Sequence, residues 1–186
     1  CSSDLISTFN VSLIRDNIIC DSDCNEWLGS VNIELAIVDQ LVIPYLKQTY
    51  TIDSILEDTT KRENLRNALK PFAEEAKFQL SSKVIHNILS NIGDLPFEDD
   101  NGIEPEIDIE LSQNDLANIS RPIYQQAIQT TKDLIKRNNI QEKDIHVICL
   151  VGDEPKLPVL QYLIKEQISM NVDTFHDSST IVVKGA

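Results

Sequence analysis

The stretch Ile145-His146-Val147-Ile148-Cys149-Leu150-Val151 is apolar at nearly every position and ends on Gly152, after which the chain turns polar through Asp153-Glu154-Pro155-Lys156. A run of this length without alternation suits a strand buried on both faces, as in sheets covered by helices. In such folds ligands gather where the strands end. The turn at Gly152 therefore reads in two ways, as a plain strand-to-helix connection or as part of a binding site.

With 186 residues the chain makes one domain or two small lobes and buries a core without disulfides or metal. Its formal charge of −14, from 30 acidic against 16 basic residues, argues against nucleic acid and anionic membrane surfaces, because phosphate binding needs clustered Lys and Arg. No apolar stretch approaches the roughly 20 residues that span a bilayer, and no signal peptide is visible, so a cytoplasmic location is expected. The chain opens on Cys1 rather than Met, which reads as a segment of a longer product. Cys1, Cys20, Cys24 and Cys149 lack zinc-type spacing and are expected as thiols. His86, His146 and His176 have no companion ligands and read as packing or surface residues.

Along the chain, Phe9, Val11 and Leu13 alternate with polar residues, and Arg15-Asp16-Asn17 predicts a turn before Ile18-Ile19-Cys20, giving an opening hairpin. Residues 31 to 49 carry Ile33, Ile37, Leu41 and Tyr45 at helical spacing, with Pro44 expected to kink or shorten the helix. Residues 60 to 82 form a second helical stretch, which Pro71 is expected to divide. Val84 to Leu89 and Glu106 to Leu111 read as strands, separated by an acidic, turn-rich segment that is most simply a solvated hairpin tip. Ser112 followed by Asp115 resembles a helix start, and Leu116, Ile119, Ile123, Ala127, Thr131 and Leu134 continue one apolar face. After the Gly152 turn, Leu160, Leu163, Ile164 and Ile168 outline another amphipathic helix, and Ile181-Val182-Val183 closes the chain. The order predicts an α/β lobe carrying an inserted α+β subdomain.

In "EEAKFQLS", Glu74, Lys77 and Ser81 are three and four residues apart, so on a helix they share one face and can converge on a small polar ligand. The alternative is a surface ion pair between Glu74 and Lys77, worth a few tenths of a kcal/mol.

The succession of elements resembles the second lobe of the nucleotide-binding domain of the DnaK heat-shock chaperones, within the actin-like ATPase superfamily. Five patterns align in order over nearly the whole chain. "DLISTFNVSLI" is similar to the family's DLGGGTFDVSI, "WLGSVNIE" to LGGEDFD, "EEAKFQLSS" to ExAKxxLS, "VGDEPKLP" to VGGxxRxP and "IVVKGA" to AVAxGA. The resemblance implies a ribonuclease-H-like subdomain over 1–34 and 112–186, with an inserted helix-hairpin subdomain over 35–111. It further implies an adenosine site with Glu74, Lys77 and Ser81 on one wall and Gly152 and Lys156 on the other, and ATP or ADP with Mg²⁺ as cofactor of the intact protein. The fragment itself requires no cofactor. The inserted subdomain would face a nucleotide exchange factor or other cochaperone.

The chain also departs from the family. Asp153 stands at the second glycine of the turn, Lys156 at the usual Arg, and Ser179 at an Asp, so the adenosine wall is expected to be attenuated. Between Asp4-Leu5 and Thr8-Phe9 only Ile6-Ser7 remain, all three phosphate-loop glycines are missing, and Asn10 replaces the motif's second Asp. Asp4 and Thr8 are therefore read as relics of phosphate and metal positions, and no catalytic residue is assigned. Because the family's other lobe supplies part of the phosphate machinery, this fragment alone is not expected to hydrolyse ATP. The competing reading is a pseudo-ATPase lobe, in which nucleotide binding is lost and the fold serves as a protein-interaction module.

Overall fold

In the computed structural model, which describes residues 9–25, 28–151 and 158–175, the alternation of Phe9, Val11 and Leu13 with polar residues becomes strand β1 (Phe9–Arg15), paired antiparallel with β2 (Ile18–Asn25). Asp16 and Asn17 both take positive φ, 51° and 61°, the two-residue turn whose twist matches that of the flanking strands. Leu13 faces Asp21 while Ile14 faces Ile19, so Cys20 is an extra residue in a bulge. Cys20 and Cys24 lie about 13 Å apart along an extended strand, too far for a disulfide. Both are free thiols, as is Cys149.

The chain forms two units, one of Cys1–Val31 with Ser120–Ala186 and one of Asn32–Ile119. It is a mixed α/β protein whose described strands form three two-stranded sheets.

In the first unit, β5 (Ile148–Val151) and β6 (Val172–Phe175) pair in parallel, which requires a crossover, and α6 (Pro158–Gln167) provides it. Its residues Leu160, Leu163 and Ile164, with Ile168 just beyond, are all buried, as their spacing predicts. The apolar run before Gly152 is less buried than its composition suggests. The strand begins only at Ile148, Val147 is 50% exposed and Cys149 is exposed. Among the described residues β5 has a single strand neighbour, so its side chains are only partly covered.

The long helix α5 (Gln113–Arg137) starts at the predicted place. Ser112 Oγ accepts the Asp115 N–H at 3.1 Å while the Asp115 carboxylate accepts the Ser112 N–H at 3.1 Å, a reciprocal cap that satisfies donors left open by the first turn. Its buried stripe is Leu116, Ser120, Tyr124, Ala127, Ile128 and Leu134. Ile119, Ile123 and Thr131, expected on that face, are only half-buried. At its other end Arg137 grips β2. Its Nε and Nη2 donate to the two Asp21 oxygens at 2.7 and 3.0 Å, Nη1 to Asp23 Oδ2 at 2.5 Å and Nη2 to the Ser22 carbonyl at 2.9 Å. Asn138 Nδ2 adds a bond to Asp21 at 2.7 Å.

The second unit packs α1 (Ser30–Ile37, entered from the first unit), a π-helical turn (Val38–Val42), α2 (Ile43–Thr49), α3 (Asp53–Glu57) and α4 (Thr59–Gln79) with the hairpin β3 (Ile85–Leu89) and β4 (Asp108–Ser112). Pro44 does not shorten the first helical stretch. The helix widens instead, with the Ile43 N–H bonding Val38 O five residues back, because proline lacks the N–H that the usual ladder requires. Pro71 does not divide α4 either, which runs unbroken over 21 residues. Pro71 and Asn67 are exposed, so the carbonyl that loses its partner is open to water, while Leu69, Ala73 and Ala76 hold the opposite face in the core.

The acidic segment between β3 and β4 is not a solvated tip. Asp99 is 6% exposed, and its carboxylate accepts the N–H groups of Thr51, Asn101 and Ile103 at 3.2, 2.8 and 2.9 Å. These bonds, led by that from Ile103, hold its carboxyl below the usual range. The Asp100 N–H bonds Thr51 O at 2.7 Å, the Asp100 carboxylate takes the Ser54 hydroxyl, and Leu95 is buried. The segment is a strap fastened to the α2–α3 connection. No helix among the described residues is long and apolar enough to cross a membrane.

The Arg137 clasp gives a pH signature. Hydrogen bonds from Arg137 and then Asn138 depress the Asp21 carboxyl well below its ordinary 3.8, so its contribution is complete above about pH 4 and is lost as pH falls further. The stability gap between wild type and Arg137→Gln, read from denaturant midpoints, should be constant from about pH 7 to 5 and narrow toward about pH 2.

Candidate functional site

The C-terminal half of α4 carries the residues singled out in the sequence. Ala73, Ala76 and Leu80 are fully buried and set the inward face; Glu74 and Phe78, one turn apart, fall on the outward side, with Phe78 66% exposed and Glu74 exposed. The helix ends at Gln79, so Ser81 sits in the closing turn rather than on the helix itself. It remains beside this face, because the Ser81 N–H and hydroxyl both donate to the Phe78 carbonyl, at 3.1 and 2.7 Å. Glu74, Phe78 and Ser81 thus form a small open surface.

Lys77 is placed differently. Its Nζ donates to Glu34 Oε1 at 2.9 Å, and its side chain is only 12% exposed. Lys70, two turns earlier, lies 3.6 Å from Glu34 Oε2. Glu34 is 3% exposed, and a buried carboxylate stays ionised only beside compensating charge. Lys77 thus pairs with a residue 43 positions earlier in sequence and not with Glu74, among the described residues. A second clamp fixes the same helix. Arg66 donates from Nε and Nη2 to the two oxygens of Asp39 at 3.0 and 2.8 Å, a bidentate pair joining α4 to the π-helical turn.

Two residues central to this arrangement escaped the sequence reading. Glu34 looked like one more acidic position in an acidic chain; its signal was its place beside Ile33 and three before Ile37, in the apolar stripe of α1. Phe78 lay inside the quoted motif, four residues after Glu74 and three before Ser81, yet received no role. Gly152, Asp153 and Lys156 of the second predicted wall, the relic positions Asp4 and Thr8, and Ser179 lie outside the described residues. Among the described residues no cluster of His, Cys, Asp and Glu could hold a metal ion.

The family described as Hsp70 protein matches residues 7–186. The chain belongs to the Hsp70 family. Chaperone protein DnaK of Thermosipho melanesiensis and that of Thermosipho africanus are each 27% identical over 164 residues, covering 86% of this chain and 26% of theirs. Chaperone protein DnaK of Mycoplasma mobile is 23% identical over 129 residues, covering 69% of this chain and 21% of its own length. This Hsp70-family chain therefore spans about a quarter of the length of the curated relatives it matches.

The internal pairing of Lys77 separates two kinds of charge on α4. In Lys77→Ala the buried Glu34 loses its 2.9 Å partner, and the expected loss is roughly 3 kcal/mol, the low end for breaking a buried pair. Glu74→Ala removes an exposed carboxylate and should change stability by less than about 0.5 kcal/mol. Urea unfolding of the two variants checks both; equal small losses would restore a Glu74–Lys77 surface pair.

Proposed function

We propose that residues 1–34 and 112–186 form a ribonuclease-H-like subdomain and residues 35–111 its helix-hairpin insert. Together they make the second lobe of an Hsp70-type nucleotide-binding domain, in which the end of α4 is one wall of an attenuated adenosine site. The observation that carries the site is Phe78. A single exposed apolar side chain needs no explanation, but this one stands 66% open between a carboxylate at Glu74 and a hydroxyl at Ser81. A nucleoside pairs a flat π surface with donors on its ribose hydroxyls and amino group, so it matches an aromatic face flanked by two acceptors, the Glu74 carboxylate and the Ser81 hydroxyl oxygen. Lys77, which the family resemblance puts on the same wall, is instead held by Glu34.

The phosphate side has little to offer. With Ile6-Ser7 where the family has its glycine loop and a net charge of −14, the sequence there offers no run of glycines of the kind whose backbone N–H groups hold a polyphosphate. ATP or ADP with Mg²⁺ belongs to the intact protein, whose other lobe would complete the phosphate site, and this chain alone does not turn ATP over. The helix-hairpin insert leaves Val84, Ile85, Leu89 and Ile92 exposed, at 70, 48, 59 and 68%, an apolar surface that supports its role as the part facing an exchange factor or cochaperone. The second reading, a pseudo-ATPase lobe kept as an interaction module, is favoured by one observation, the commitment of Lys77 to Glu34.

Calorimetric titration with adenosine, ADP and ATP at millimolar concentration separates them. The adenosine reading expects binding that phosphates do not improve and that Phe78→Ala weakens by about five- to a hundredfold, the worth of one base-aromatic stack. Glu74→Ala should also weaken it. Silence from all three ligands in the intact protein favours the interaction module.

A further inference from the structure

Strands β3 and β4 pair without a bulge from Ile85 opposite Ser112 to Leu89 opposite Asp108. The bonds that extend this ladder at its ends, Ser90 N–H to Ile107 O and Gln113 N–H to Val84 O, both 2.9 Å, keep the same register. Antiparallel partners alternate between hydrogen-bonded and non-bonded pairs. The even-numbered residues of β3 therefore bond β4, and the N–H and C=O groups of Ile85, Asn87 and Leu89 point the other way. Among the described residues the sheet has no third strand to meet them. The same three side chains are exposed, Ile85 at 48% and Leu89 at 59%, whereas Ile88, Ile109 and Leu111 are buried on the opposite face. Sheets protect open edges with charge, proline or a bulge. On β4 the residues whose backbone faces outward include exposed Asp108 and Glu110; on β3 none of the three carries such protection.

We infer that the free edge of β3 accepts an extended segment of a partner protein as a third, antiparallel strand, one in which Lys or Arg alternates with β-branched residues. The inference rests on the reading of the insert as the partner-facing part and adds what that partner presents. In strand addition the main chain supplies affinity and the alternate side chains supply specificity. On the outer face the new strand lies beside Ile85 and Leu89, with Asp108 and Glu110 one strand further in, roughly 10 Å from it. A Lys or Arg lays its methylene stem over the apolar pair and brings its charge toward those carboxylates, which have no ion-pair partner among the described residues. A second copy of this chain fits the edge less well, because it brings its own Asp108 and Glu110 and a net charge of −14.

The test is calorimetry and amide hydrogen exchange on the full chain with a capped peptide that alternates Lys and Val. With free peptide at about ten times its Kd, exchange at Ile85, Asn87 and Leu89 should slow by about tenfold. Asn87→Pro removes one outward N–H and no ladder bond, a change an edge strand tolerates, and should abolish binding. If that variant does not fold, the probe carries the test. Residues opposite Ile85, Asn87 and Leu89 share their face and exchange both backbone bonds with them, so methylating the Lys backbone nitrogens of the peptide should abolish binding and methylating those of Val should spare it. Asp108→Asn with Glu110→Gln should weaken binding roughly three- to tenfold at low salt and remove most of its salt dependence. No binding, equal binding by the two methylated peptides, or unchanged exchange at the three amides with slowing elsewhere in the insert overturns the inference alone. Slowing only outside residues 35–111 overturns the partner-facing reading with it. Slow exchange at these amides in the chain by itself, lost on dilution, assigns the edge to a second copy and likewise overturns the inference.

Discussion

A carboxylate sealed at 3% exposure is the constraint around which the candidate site is arranged. Left unpaired, Glu34 would either stay protonated or hold the helices apart, since the cost of an isolated buried charge exceeds what a domain can bear. Two lysines of α4 resolve this, and in doing so they fix how α4 is rotated about its own axis. Once Lys70 and Lys77 face Glu34, and Ala73 and Ala76 face the core, Glu74 and Phe78 have only the outward side left. The open aromatic surface is thus a consequence of the buried charge, because a helix has one rotational setting and every residue on it must share it. Arg66, bidentate on Asp39, holds the same setting about one turn before Lys70.

The backbone irregularities follow the same economy of satisfying polar groups. Pro44 removes a donor, and the chain answers with a π turn in which Ile43 reaches back to Val38. Pro71 removes another, and nothing changes, because that stretch of α4 faces water. The strap between β3 and β4 has no regular structure, yet Asp99 gathers three backbone N–H groups that no ladder would satisfy. In the other unit Arg137 does for an exposed hairpin what packing does elsewhere, tying β2 to the end of α5 through two aspartates that alternate onto one side of the strand.

Membership of the Hsp70 family gives these features a setting without erasing what is particular to this chain. At 23 to 27% identity to its DnaK relatives, most aligned residues differ. A core position tolerates any apolar group of similar volume, whereas a position that needs glycine is disrupted by a single Cβ.

Read alone, the amino-acid sequence determined the alternation of strands and helices, the capped start of α5, the buried face of α6, both hairpins and the family, because those depend on local periodicity and on short-range hydrogen bonds between residues three or four apart. It determined less about burial, since the run before Gly152 is apolar throughout and yet half uncovered, and a strand's second face is covered only by neighbours that the run itself does not contain. Tertiary structure alone decided that Asp99 is a buried fastener, that Asp21 and Asp23 answer Arg137, and that Lys77 belongs to Glu34 and not to Glu74. The physical reason is common to all three. Coulombic and hydrogen-bond partners are chosen by proximity in space, and in a chain with 30 acidic residues nothing in the local spelling marks which carboxylate the fold will enclose.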